Sequence, residues 1–354
     1  MIAPLLCALG VAAAFLLISR VRTCPPVRAI AYPPLSIVIP ARDEERNLPR
    51  LLRSIVSSSL CPKQLLVVDD GSTDNTATVA RTLGATVLCS APLPADWKGK
   101  SWACYQGAQQ ATGHLLLFLD ADTWFTPDGL ECLIANWARR NDPALALSLL
   151  PWHEMSSPLE QLSLFFNVLM ASAGFAALAP PRLFGQSLLL TRDLYDACGG
   201  HASVRGLVLE NLSLAGALRR AGARLTCLAG AGTLHMRMFP EGFRQMSSSW
   251  TKGFAQGAAH SASLVVVSSI VWFSALSSVV VLLFAPCSVV RAGLFAVYLL
   301  LGLQLAWFSR RLGNFHPLTS LLYPVPLVYF CVIFGVSVAR RALGRKTRWR
   351  GRNV

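Results

Sequence analysis

Two short apolar runs in this 354-residue chain end in carboxylates. The first closes as Val67-Val68-Asp69-Asp70-Gly71-Ser72-Thr73-Asp74, the second as Leu117-Phe118-Leu119-Asp120-Ala121-Asp122. Each run has the length and the Val/Leu content of a strand buried on both faces. Such a strand delivers its terminal acids to the rim of a sheet, and in open α/β sheets ligands bind at that carboxyl edge. Two carboxylates one residue apart suit a hard, oxygen-seeking divalent cation that must also hold a diphosphate. These residues point to transfer chemistry on a nucleoside-diphosphate substrate.

The elements that must position the acids read as an α/β alternation. Strands are expected at 35–41, 65–69, 86–89, 114–120, 144–150 and 187–191. Helices are expected at 48–57, from Thr73/Asp74 to Gly84, and at 100–112, 127–140 and 209–221. The alternation predicts a Rossmann-like, mostly parallel sheet covered on both faces. The apolar run 162–179 is long enough to resemble a membrane span. A single crossing there would separate Asp122 from Glu210, so it reads instead as a helix at the membrane surface or packed in the domain.

The hydrophobic content is 53%, more than a soluble enzyme needs. The excess lies at the ends: 1–19, then 264–285, 292–308 and 318–338, all at or near bilayer-spanning length. The organisation expected is an N-terminal anchor at 1–19, a catalytic domain at 33–258, membrane segments at 264–338 and a basic tail at 339–354. Pro324 and Pro326 interrupt the last apolar stretch, which favours a re-entrant segment there. The net charge of +14 does not indicate nucleic acid. All 18 acidic residues lie between Asp43 and Glu241, where the balance is about neutral. The surplus is Arg20, Arg22, Arg28 and 12 basic residues from Arg244 onward, flanking the apolar segments. The ten cysteines contain no Cys-x-x-Cys pair, which argues against a zinc site or a disulfide framework.

With these pieces in place, the chain resembles the family 2 glycosyltransferases with a GT-A nucleotide-sugar domain. The carriers, in the family's order, are Ile37-Val38-Ile39-Pro40-Ala41-Arg42-Asp43-Glu44-Glu45, Asp69 to Asp74, Gly99-Lys100-Ser101-Trp102-Ala103 and Asp120-Ala121-Asp122. Further pieces, among them Glu241-Gly242-Phe243, Trp250-Thr251-Lys252, Arg310-Arg311-Leu312-Gly313 and Trp349-Arg350-Gly351-Arg352, are similar to membrane members that esterify a sugar onto a carotenoid carboxylic acid. The resemblance implies an inverting enzyme of the plasma membrane with its catalytic domain in the cytosol. A UDP-sugar would be the donor, a lipid in the bilayer the acceptor, and Mg2+ or Mn2+ the cofactor. It also implies roles. Pro40 and Ala41 would lie beside the base, with Glu44 in the same loop, and Asp70 would accept from base or ribose. Lys100 would face phosphate from a helix start. Asp120 would contact ribose or metal-bound water, and Asp122 would coordinate the metal.

Glu210-Asn211 departs from the family's pattern, in which the second residue is an acid that deprotonates the acceptor. Either Glu210 serves as base, or none is needed because a carboxylic acid acceptor is already ionised near neutral pH. The family's Gln-x-x-Arg-Trp motif is also altered. Trp250 stands, but Met246 and Ser249 occupy the Gln and Arg places, leaving Arg244 and Lys252 as nearby cations for diphosphate or acceptor. Trp250 has an equal alternative as a membrane-interface anchor. Two other readings stay open: another lipid acceptor (hopanoid, diacylglycerol or polyprenyl phosphate), or a non-catalytic membrane partner that kept the fold.

Overall fold

The computed structural model describes residues 2–25, 31–177, 179–207, 210–259, 261–283, 288–343, 348–349 and 352–353. In chain order the elements begin with α1 (Ile2–Ile18), β1 (Leu35–Ala41), α2 (Leu48–Val56), β2 (Gln64–Asp69), α3 (Thr76–Thr82), β3 (Thr86–Cys89) and α4 (Gly99–Gln110). They continue with β4 (Leu115–Leu119), β5 (Thr123–Phe125), α5 (Gly129–Ala138), β6 (Leu145–Leu150), β7 (Trp152–His153), α6 (Leu164–Phe175), β8 (Ser187–Thr191) and α7 (Arg192–Ala197). Then come α8 (Glu210–Arg220), β9 (Arg224–Ala229), β10 (Leu234–Met236), α9 (Phe243–Ala259), α10 (Ser263–Leu282), α11 (Ser288–Leu312), α12 (Pro317–Leu321) and α13 (Pro324–Ala342). The chain forms two compact units.

The first unit, Arg22–His153 with Pro181–Arg237, is built on a sheet of seven strands among the described residues, in the order β3-β2-β1-β4-β8-β6-β9. β3, β2, β1 and β4 are mutually parallel. β8 runs antiparallel to both its neighbours, β4 and β6. This is the mostly parallel sheet expected. Side chains alternate along β1: Ile37 and Ile39 join one core, Val38 the other, and all three are fully buried. On the first side α2 contributes Leu48, Leu51, Leu52 and Ile55, and α5 contributes Leu130, Leu133, Ile134 and Trp137. On the second, α4 contributes Ala103, Cys104 and Ala108, and α8 contributes Leu214, Ala215 and Leu218. Burying each large side chain is worth about 1.5–3 kcal/mol. Gly107 brings α4 down onto the sheet: a Cβ there would lie 2.4 Å from Val38 Cγ1 and 2.9 Å from Val68 Cγ2.

Within the described residues of the sheet unit, four strands were not anticipated from the sequence. β5, β7 and β10 have two or three residues each and form a small separate sheet. They are too short to carry a periodic pattern. β9, Arg-Leu-Thr-Cys-Leu-Ala, becomes a strand by pairing along its whole length with β6.

The second unit comprises Met1–Val21, Glu154–Pro180 and Met238–Val354. It contains α1, α6 and α9 to α13. Among the described residues, three helical stretches are long and apolar enough to cross a membrane: Ser263–Leu282, Ala292–Leu312 and Pro324–Ala342. They leave large apolar side chains outward, among them Ile270, Val281, Leu303, Val328 and Val332. An outward apolar band of that size is suited to lipid. The stretch Leu5–Ile18 is a shorter apolar helix. It lies tightly on α10, because a Cβ on Gly10 would be 2.2 Å from Ala275 Cβ. Small residues at such a crossing let two backbones approach.

α6 has 12 residues and would extend only about 18 Å, too short to span. Phe165, Phe166 and Phe175 on it are fully buried, which matches a helix packed within its unit. The apolar stretch 318–338 is divided at these prolines: α12 ends at Leu321, and Pro324 and Pro326 sit in the first turn of the 19-residue α13, where a missing N–H costs nothing.

Candidate active site

The acids reach one edge because the parallel strands end in register. Ala41 at the end of β1 pairs with Asp69 at the end of β2, and Val38 pairs with Phe118 on β4. The Asp70 N–H donates to Ala41 O at 2.9 Å, which fixes the first acidic cluster to the Pro40-Ala41 turn. Arg42 Nη1 lies 3.8 Å from Asp70 Oδ2. The two loops at this edge are laced together by backbone-to-side-chain bonds. Thr73 N–H donates to Asp43 Oδ1 at 2.7 Å, Glu44 N–H to Thr76 Oγ1 at 2.8 Å, and Glu45 N–H to Asp74 Oδ2 at 3.1 Å. Asp43 adopts a left-handed φ of 54°, as a short polar residue in a tight loop can. Asp74 also accepts from Thr76 N–H at the start of α3, at 2.9 Å.

β4 ends at Leu119, and Asp120 leaves it with its N–H donating to Gln186 O. Lys100 stands in the first turn of α4. Its Nζ lies 2.6 Å from Asp120 Oδ1 and donates to Gly185 O at 3.2 Å. The lysine thus meets the acidic pair itself, beside the edge where a phosphate would approach. Glu44 is buried and accepts from Asn47 Nδ2 at 2.7 Å. Asp122 is half-buried, and its Oδ1 is sealed from solvent with no hydrogen-bond partner. Burial raises its pKa to about 7, helped by the neighbouring charges of Asp120 and Glu44 and opposed by Lys100.

A buried carboxylate oxygen without a donor, beside a second carboxylate, is the environment a cation relieves. Among the described residues no group of three His, Cys, Asp or Glu side chains could hold a metal. The donor set therefore fits an ion that takes two carboxylates from the protein and its other ligands from diphosphate and water.

A family model described as Glycosyl transferase family 2 matches residues 36–212, the stretch from β1 into α8 that holds this edge. The chain belongs to glycosyltransferase family 2. It is 33% identical over 332 residues to the 4,4'-diaponeurosporenoate glycosyltransferase of Staphylococcus aureus strain MRSA252, covering 90% of this chain and 87% of that protein. The same enzyme of strain USA300 matches to the same extent. Among solved structures, the mannosyltransferase PcManGT from Pyrobaculum calidifontis, in complex with GDP-Man and Mn2+, aligns over 92% of this chain and 97% of that one. Its TM-score is 0.54, at 19% identity. The fold of this family 2 member is GT-A, and the protein is a glycosyltransferase rather than a non-catalytic relic.

Of the residues expected at the site, Pro40, Ala41, Glu44, Asp70, Lys100, Asp120 and Asp122 all belong to the sheet unit. Pro40, Lys100 and Asp120 line one small pocket together with Gly185 and His201. Glu210 opens α8 in the same unit, while its side chain and that of Asn211 lie outside the described residues. Trp250, Arg244 and Lys252 belong to the helical unit. Trp250 is buried there, stacked on Phe166 at 4.7 Å and edge-on to Phe239 at 5.7 Å. An interface anchor would instead keep its ring at the surface. Arg244 is exposed, and the Lys252 side chain lies outside the described residues. His201 was not among the residues expected at the site; its backbone N–H and ring meet Tyr195 Oη only through the turn at Gly199 and Gly200.

Proposed function

We propose that this family 2 member is an inverting hexosyltransferase of the plasma membrane, with its sheet unit in the cytosol. It would move a sugar from a UDP-sugar to a lipid acceptor, and a carotenoid carboxylic acid giving a glycosyl ester is the acceptor favoured. The observation that carries the donor half is the Lys100–Asp120 pair beside the unpartnered Asp122 oxygen at the sheet edge. The acceptor half is supported by the relation to an enzyme named for diaponeurosporenoate. It is supported also by the three helices, among the described residues, that are long and apolar enough to cross a membrane.

In this mechanism Pro40, Ala41 and Asp70 bind the nucleoside, Glu44 shapes that loop, and Lys100 meets diphosphate oxygen. Asp120 and Asp122 would hold Mg2+ or Mn2+, which when bound would supply positive charge against the diphosphate. The acceptor oxygen attacks the anomeric carbon on the face opposite the leaving group, giving inversion in one displacement. Asn211 has no basic atom. Glu210 therefore takes the acceptor proton, or a carboxylate acceptor arrives without one. Arg244, Lys252 and Trp250 are proposed for contact with acceptor or diphosphate.

Labelled sugar transfer from UDP-glucose to a carotenoid acid, with Mn2+ and Asp122→Ala as control, tests the reading. Alkali-labile label that is absent with Asp122→Ala is expected. No transfer to any acceptor or from any UDP-sugar would overturn it. Glu210→Gln divides the two base schemes. A loss of about a thousandfold assigns Glu210 as base, and near-normal turnover on an acid acceptor assigns none.

A further inference from the structure

His201 has no part in the scheme above, yet it lies beneath the charged pair at its centre. It is 4% exposed. Its ring meets Phe118, two residues before Asp120, edge-on at 4.8 Å. Tyr195 Oη accepts the His201 backbone N–H at 3.1 Å and bonds His201 Nδ1 at 3.0 Å. With the backbone N–H already donating to that oxygen, the hydroxyl proton goes to Nδ1. The imidazole is then the tautomer with its proton on Nε2. Burial and the charge of Lys100 push its pKa down to about 3, so the ring is neutral in the working range. The remaining N–H belongs to a ring that lines the pocket with Lys100, Asp120 and Gly185, where there is room for about one water.

The approach of Tyr195 has shaped the loop. A Cβ on Gly200 would lie 2.4 Å from the tyrosine ring, and Gly199 and Gly200 have φ of +76° and +50°. The far end of the same loop is tied to the residues just before Lys100. Lys98 N–H donates to Arg205 O at 2.9 Å, and Arg205 Nε pairs with Asp96 Oδ2 at 2.7 Å. The 199–206 loop is therefore fastened at one end below the Lys100–Asp120 pair, and at the other to the stretch of chain that presents Lys100.

We infer that His201, held by Tyr195, is a positioning residue that clamps the 199–206 loop to the Lys98–Lys100 segment and so holds Lys100 in place beside Asp120. Its role in turnover rests on the function proposed above; its role as a clamp does not. Tyr195→Phe deletes one oxygen and both bonds to His201 while keeping the ring stacked on Phe118. His201→Phe keeps a ring in the pocket wall.

The first readout is amide hydrogen exchange in the ligand-free full chain. In Tyr195→Phe, exchange at His201 and at Lys98 is expected to rise about tenfold or more, with β1 and β4 unchanged. A rise at His201 alone, or across the whole sheet, would overturn the clamp. The second readout is transfer. The kcat of Tyr195→Phe and of His201→Phe is expected to fall about tenfold or more, with the UDP-sugar KM moving less than about threefold. His201→Gln, which returns an N–H near the Nε2 place, is expected to recover most of that loss. Wild-type kcat in both Phe variants would remove the role in turnover. A wild-type protein without transfer would defeat the transferase reading, while the exchange result still decides the clamp.

Discussion

Asp122 is the residue at which the demands of ligand binding and of folding are most opposed, and the conflict is measurable. In the metal-free protein its carboxyl is raised from 3.8 to about 7 by burial and by Asp120 and Glu44. For an acid raised in the folded state, the stabilising contribution is complete below the unfolded value. It is lost as pH climbs through the folded value. Three units at 1.36 kcal/mol each make the ionised form a burden of about 4 kcal/mol above pH 7. Asp122→Asn removes the charge but leaves a buried amide whose unmade hydrogen bonds cost about 1–3 kcal/mol. The net expectation in EDTA at pH 8 is a gain of about 1–3 kcal/mol, or a melting temperature higher by several degrees for a unit of this size. At pH 5 the wild-type carboxyl is protonated and the gain should vanish. The assay is thermal unfolding of wild type and Asp122→Asn in detergent and EDTA at pH 5 and 8, with transfer activity measured alongside. An equal shift at both pH values, or a variant destabilised more at pH 8 than at pH 5, would refute the buried-charge reasoning. Added Mn2+ should raise the melting temperature of the wild type and leave that of Asp122→Asn where it was.

Other perturbations test separate parts of the structure. Lys100→Met leaves Asp120 and Asp122 facing each other without their cation, and should cut transfer at least about a hundredfold while the protein still folds, as read by kcat/KM beside circular dichroism. Gly107→Ala forces a methyl onto Val38 and Val68 and should cost about 1–3 kcal/mol in denaturant unfolding. Ala275→Leu should separate α1 from α10 at the Gly10 crossing and lower thermal stability in detergent, without changing the affinity for UDP. His201 carries a folded pKa lowered from 6.5 to about 3, so its contribution is complete above pH 6.5 and falls as pH drops, by up to about 1.4 kcal/mol per unit. His201→Gln should flatten that part of the stability curve between pH 6 and 4.

The parallel core was legible because strands buried on both faces are written as continuous apolar runs. β1, β3 and β8 fall at the residues expected, and the acids at the ends of β2 and β4 had to emerge at the sheet edge. The antiparallel insertion of β8 was not legible. Its Ser-Leu-Leu-Leu-Thr reads the same in either direction, and only pairing with β4 and β6 fixes its sense. Lys100 was anticipated at the site, but its bond to Asp120 was not, because the two approach only when α4 packs on the sheet through Gly107.

The sequence by itself determined the chemistry on offer: two acids at strand ends, a lysine at a helix start, and apolar segments too long for a soluble core. Those follow from local pattern, since residue type and spacing decide what a strand end or a helix turn presents. Tertiary structure alone decided the electrostatics. Asp122 lost its hydrogen-bond partners and gained like-charged neighbours only when β4 was enclosed, and His201 lost its charge only when Tyr195 and Phe118 closed around it. Desolvation depends on what surrounds a group from every side, and those surroundings are assembled from segments far apart in the chain.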